Sequence, residues 1–206
     1  MESGIIVYKK VVSGAGVDET IQRCLRPYED RLRTHASREA IEIEEMLERH
    51  SESFLPDRFK RKGYNRLRSV FAFPFEFPDE WCYPNLVPAD KSFSRRETIM
   101  KMVVDGNSAL VLSMEEVEEL YFHTYHPMEA IRAYWESAVL LKEFVRDFRN
   151  HHKNAYEAYS RIGTDLERVY EWYSKDGTKR IKKPEVIIPD WSLEKISFLN
   201  APENYA

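Results

Sequence analysis

Residues 183–189 read Lys-Pro-Glu-Val-Ile-Ile-Pro, and Asp190-Trp191-Ser192-Leu193-Glu194-Lys195-Ile196 follows directly. This stretch constrains the fold more than any other. A carboxylate, Glu185, opens a short run that is otherwise apolar, and Pro189 ends it. The pattern describes a core strand with a charge at its mouth. Site carboxylates occupy such positions, and so do ordinary strand-edge glutamates. The rest of the chain has to decide between the two.

At 206 residues the length predicts one domain, with a Pro/aromatic loop inserted near residues 74–95. Hydrophobic residues make up 43% and aromatic residues 13%, enough for a sizeable core. The formal charge of -4 does not by itself point to nucleic acid. Only Cys24 and Cys82 are present, far apart, which excludes a disulfide framework or a cysteine-type zinc site and fits a reducing compartment. The amino terminus shows no signal-peptide pattern, and no apolar run approaches the ~20 residues of a membrane span. A cytoplasmic protein with no membrane association is the expectation.

Gly4 to Val12 reads as a first strand and Val17 to Leu25 as a helix stopped near Arg26-Pro27. Ala36, Ala40, Ile43 and Leu47 recur at helical spacing, with Glu and Arg on the other face, predicting a surface helix over Ser37 to Ser51. Ser69 to Phe73 reads as a buried strand bounded by Pro74. Thr98 to Val104 and Ala109 to Leu112 read as strands joined by the turn chemistry of Asp105-Gly106-Asn107. Ser113 and Glu116 form a capping box for a helix reaching about Tyr121, and Pro127 suits a first helical position. From Ile131 to Phe148 a sustained spacing predicts a long helix, or two, ending about Asn150. Ala155 to Tyr173 repeats the pattern, and Trp191 to Leu199 reads as a closing helix with Asp190 as its cap. Strands and helices mix without regular alternation, so the class is α+β.

Three constellations bear on chemistry. Arg58, Lys60, Arg61, Lys62, Arg66 and Arg68 place six basic residues in eleven positions with Tyr64 among them and no acid. Such a run suits phosphates of a nucleotide or nucleic acid, or else it is a solvated loop facing acidic helices. His123, His126, His151 and His152 lack the third convergent ligand and the HExxH pattern of a metal site, so no metal is expected. Ser13-Gly14-Ala15-Gly16 matches neither a dinucleotide fingerprint nor a P-loop, and no GxSxG is present.

Taken in order, several segments resemble the ADP-ribosyltransferase-like superfamily. Ile5-Ile6-Val7-Tyr8-Lys9-Lys10, Glu19-Thr20-Ile21 and Cys24-Leu25-Arg26-Pro27 are similar to its opening strand, helix and exit. Arg68-Ser69-Val70-Phe71-Ala72-Phe73 looks like its second core strand, which carries an aromatic platform. Val103-Val104-Asp105 and Ala109 to Leu112 look like the following strands. Pro184 to Pro189, with Leu193 and Ile196, resembles the strand bearing the catalytic glutamate.

The resemblance implies a small split antiparallel β core with amphipathic helices around it, and NAD as donor. It places Glu185 as the catalytic carboxylate against the ribose hydroxyls and Phe71 as the ring stacking on nicotinamide. Lys9, Arg68 and Ser69 would hold ribose or phosphate. The family carries His or Arg where this chain has Lys9, and often Tyr where it has Phe71, and Lys does not replace either partner's geometry. Two alternatives therefore stand beside the enzyme: a catalytically silent nucleotide or nucleic-acid binding module, and a protein-interaction domain on the same fold. A related phosphotransferase acting on RNA ends would also use the Arg58–Arg68 run.

Overall fold

A computed structural model describes residues 4–12, 15–74, 97–121, 126–151, 172–173, 180–181 and 184–199. Apolar residues recur through Ile5–Val12 and make strand β1. Helices α1 (Val17–Cys24), α2 (Tyr28–His35), α3 (Arg38–Arg49) and α4 (Ser51–Phe54) follow. Next come β2 (Val70–Ala72), β3 (Glu97–Val104), β4 (Leu110–Ser113) and α5 (Met114–Tyr121). The chain continues through α6 (Pro127–Glu136), β5 (Val139–Leu140) and α7 (Leu141–His151). Strands β6 (Trp172–Tyr173), β7 (Arg180–Ile181) and β8 (Pro184–Ile188) precede a 3-10 helix (Asp190–Lys195) and β9 (Ser197–Phe198).

Among the described residues every ladder is antiparallel. One sheet has the order β1-β3-β9, a second has β2-β8-β4-β5, and β6 pairs with β7. Tyr8 and Phe73 exchange two backbone hydrogen bonds, at 2.9 and 2.7 Å, and join the two sheets at a corner. Helices with antiparallel sheets make the class α+β, as expected. No helix among the described residues is long and apolar enough to cross a membrane.

Successive side chains of a strand point to opposite faces, so each strand of the four-stranded sheet feeds two cores. Val70 and Ala72 of β2, Val111 of β4 and Val186 and Ile188 of β8 face the first. There they meet Val7 and Val11 of β1, Met100, Met102 and Val104 of β3, Cys24, and Leu141 and Phe144 of α7. Leu110, Leu112 and Ile187 face the second core, where Leu47 of α3, Val117 of α5 and Ile131, Tyr134 and Trp135 of α6 cover them. β8 lies between β2 and β4, and all five of its residues are buried. Pro184 and Pro189 bound it, because proline has no amide hydrogen for a ladder.

Several sequence expectations need correction. Of the one or two helices expected from Ile131 to about Asn150 there are two, and what the sequence did not show is the edge strand between them, where Val139 and Leu140 pair with Val111 and Leu110. Ser137 closes α6: its hydroxyl donates to the Tyr134 carbonyl at 2.6 Å and accepts the Ser113 amide at 3.0 Å. The closing helix is a 3-10 helix that ends at Lys195 and gives way to β9, which pairs with β3. Asp190 lies within it and accepts the amide of Trp191 at 2.8 Å. The helix expected to reach Tyr173 does not, since Trp172 and Tyr173 pair with Ile181 and Arg180. Its remaining residues, 155–171, lie outside the described residues, as do residues 75–95 of the Pro/aromatic loop and His123. The strands on either side of Asp105-Gly106-Asn107 do not pair with each other; the turn carries the chain from one sheet to the other.

Candidate functional site

Glu185, the second residue of β8, lies opposite Leu112 of β4 and faces the second core. Arg66 reaches it from the loop between α4 and β2. Asn65 shapes that loop: its carbonyl accepts the Ser69 hydroxyl and its side-chain oxygen accepts the Arg68 amide at 2.9 Å. Tyr64 anchors the same loop through a hydroxyl donated to the Ser108 carbonyl at 3.0 Å. As a result Arg66 turns inward and Arg68 outward. Glu44 projects from α3 on the same stripe as Leu47, three residues on, and Tyr134 projects from α6.

These side chains form one buried network. Arg66 is 1% exposed, Glu44 0% and Glu185 4%. The Arg66 Nε donates to Glu44 Oε2 at 2.7 Å. Its Nη1 donates both to Glu185 Oε1 and to the Tyr134 hydroxyl. Tyr134 in turn donates to Glu185 Oε1 at 2.7 Å, and Tyr28 donates to Glu44 Oε1 at 3.1 Å. The backbone amide of Arg66 donates to Glu48 Oε2 at 2.7 Å. Three rings surround the guanidinium carbon, Phe71 at 4.4 Å, Tyr134 at 5.1 Å and Tyr28 at 5.4 Å, within the range of cation–π attraction.

Burial alone would lower the pKa of Arg66, but Glu185, Tyr134 and Glu44 outweigh it and hold the guanidinium well above its ordinary value. Burial pushes Tyr134 well above the usual phenol value; Arg66 opposes this, and Glu185 adds to it. Tyr134 therefore remains a phenol that donates. One guanidinium bridges two buried carboxyl groups, so the cluster is held together by charge. Glu185 Oε2 accepts no hydrogen bond among the described residues.

The residues singled out from the sequence divide between two places. Glu185 and Phe71 come together: Phe71 opposes Ile187 on the neighbouring strand, and Glu185 lies two residues along on the same face. The half-buried Phe71 ring also carries Tyr28, at 4.6 Å between centroids. Lys9 lies on the other side of the four-stranded sheet. It shares a face of β1 with Val7 and Val11 of the first core, and its Nζ donates to the Cys24 carbonyl at 2.6 Å. Cys24 is buried there, its thiol pushed up to about 11 by burial. Arg68 sits at the surface in an ion pair with Asp190 at 2.6 Å. Ser69 is fully buried, a turn residue bonded to Asn65.

The basic run does not form one patch. Arg58 pairs with Glu143 at 2.9 and 2.8 Å, Lys60 with Asp57 at 2.8 Å, and Arg66 is buried. Arg61 and Lys62 are exposed in the loop, where Arg61 (φ 66°) and Gly63 (φ 74°) adopt left-handed backbone. Among the described residues no three His, Cys, Asp or Glu side chains gather to hold a metal ion.

Sequence reasoning missed Glu44, Tyr134 and Tyr28, and it counted Arg66 as a surface cation. Glu44 carried a legible signal, since it falls four residues after Ala40 and three before Leu47 on the apolar stripe. Tyr134 was legible only as a core ring.

Glu48 borders the network, and burial raises its pKa although the Arg66 and Leu67 amides pull the other way. A raised folded-state value means that its stabilising contribution is full below the unfolded glutamate value and is lost as pH rises through the folded one. Glu48→Gln keeps an oxygen for the Arg66 amide and removes that loss. Urea melts from pH 4 to 8 should show a flatter stability profile for the variant, with the variant gaining on the parent toward neutral pH.

No family model, no curated protein and no solved structure matches the chain.

Proposed function

We propose that the protein is an ADP-ribosyltransferase-like enzyme that takes NAD as donor, with Glu185 as its catalytic carboxylate. One observation carries this reading. Glu185 and Phe71 share a face of adjacent strands as a diagonal pair, a relation that spans roughly 7–8 Å. An aromatic ring and a strand-borne carboxylate at that separation suit a nicotinamide ring and the ribose attached to it.

In the reaction the bond between the nicotinamide nitrogen and ribose C1′ breaks, and nicotinamide leaves with the bonding pair. A lone pair of the acceptor forms the new bond to C1′, and the acceptor's proton passes to solvent. Positive charge builds on the ribose in the transition state, and a fixed carboxylate stabilises it, as carboxylates do in glycoside hydrolysis. Phe71 supplies the stacking surface. Lys9 and Ser69 serve the fold in this reading, and Arg68 is left at the surface.

A second reading, a silent nucleotide-binding module on the same fold, draws on the ion pair by which Arg66 already neutralises part of Glu185. The two readings part at nicotinamide release: both bind NAD, and only the enzyme cleaves it. Titration with NAD observed by ligand-detected NMR tests what they share. Saturable binding that weakens about tenfold in Phe71→Ala, roughly the loss of one stacked ring, is the expected result. Absence of binding at millimolar NAD counts against both.

A further inference from the structure

We infer that Tyr134 is the positioning residue of Glu185: together with Arg66 it saturates Oε1 and thereby presents Oε2 as the working face of the carboxylate. The inference rests on the reading of Glu185 as the catalytic group. A carboxylate offers about four acceptor sites over its two oxygens. Here both donors, the Tyr134 hydroxyl and the Arg66 guanidinium, converge on Oε1, and none among the described residues reaches Oε2. The donors come from separate elements, α6 and the loop before β2, so together they fix the rotation of the carboxylate as well as its direction.

The support continues outward. Glu44 on α3 holds Arg66 through two of its nitrogens, and Tyr28 on α2 donates to Glu44. Glu48 on α3 takes the Arg66 amide and fixes the backbone from which the side chain springs. Packing alone explains an aromatic ring at position 134, where the side chain is fully buried beside Trp135. It does not explain the hydroxyl, because a buried hydroxyl costs free energy unless it is bonded. The bond it makes goes to Glu185.

The test is Tyr134→Phe, which keeps the ring and removes the donor. Protein labelled with 13C at glutamate carboxyls gives a Glu185 resonance, assigned by its absence in Glu185→Gln. In Tyr134→Phe that resonance should move and broaden as the carboxylate gains freedom. Nicotinamide release should fall about 10–100-fold in kcat, as for groups that orient a working residue from behind, with KM within about threefold. A moved resonance in a protein whose parent neither binds nor cleaves NAD upholds the positioning role and removes the NAD reading. An unmoved resonance overturns the inference whatever the turnover. If Tyr134→Phe does not fold, the parent protein still decides: its Glu185 carboxyl signal should shift between H2O and D2O through the exchangeable donors, and an invariant signal overturns the inference.

Discussion

Arg66→Ala is expected to destabilise the protein by about 3–5 kcal/mol, the range for breaking a buried ion pair by removing one partner. Most folded domains have only about 5–15 kcal/mol to lose. The size follows from what remains behind. Glu44 and Glu185 are 0% and 4% exposed, and removing the guanidinium leaves both carboxyl groups buried without the cation that bridges them. Tyr134 also loses a donor, and Phe71 and Tyr28 lose the cation they surround. Arg66→Met fills more of the space and should remain nearly as damaging, because charge rather than volume dominates. The triple variant Arg66→Met, Glu44→Met, Glu185→Met should recover much of the loss, since a hydrophobic replacement of similar volume for a buried ionic cluster is often neutral. Urea denaturation of the three proteins measures this. A loss below about 1 kcal/mol in Arg66→Ala, the scale of an exposed pair, would mean that the network is open to water.

Glu185→Gln separates chemistry from folding. Glutamine keeps the volume and an oxygen able to accept from Tyr134 and Arg66, and Arg66 retains Glu44 as its charge partner. The fold should therefore survive with a loss of about 1–2 kcal/mol, the cost of weakening a charged hydrogen bond. Nicotinamide release should fall by about 100-fold or more, because the amide cannot offset positive charge on the ribose; removal of one preorganised electrostatic group typically costs that much. NAD binding should change far less than turnover. Nicotinamide assayed after incubation with NAD, alongside a melting curve, reads both quantities. An undiminished rate would remove Glu185 from the mechanism.

Those expectations depend on features of unequal visibility in the sequence. The strand at Pro184–Ile188 was plain from its apolar run and terminal Pro189, and so were β1, β3 and β4. The α+β class followed from them. The edge strand between α6 and α7 was not plain, because Val139 and Leu140 suit a helix or a strand and only pairing with β4 decides. Arg66 sat in a run of cations that looked uniform. What distinguishes it is the Asn65 turn and the Glu44 carboxylate 22 residues earlier, a partnership that exists only after folding. Lys9 shows the reverse. It sits on the expected strand, but the alternation of β1 sends it into the first core, away from Glu185.

The most direct measurement is a protein-observed NMR titration with NAD that maps the perturbed residues. Saturable shifts centred on Phe71, Glu185 and Tyr134, with little change at Lys9 or at Arg61 and Lys62, are the predicted result. Shifts confined to the exposed Arg61–Lys62 loop, or none at millimolar NAD, would contradict a donor site on the shared face of β2 and β8.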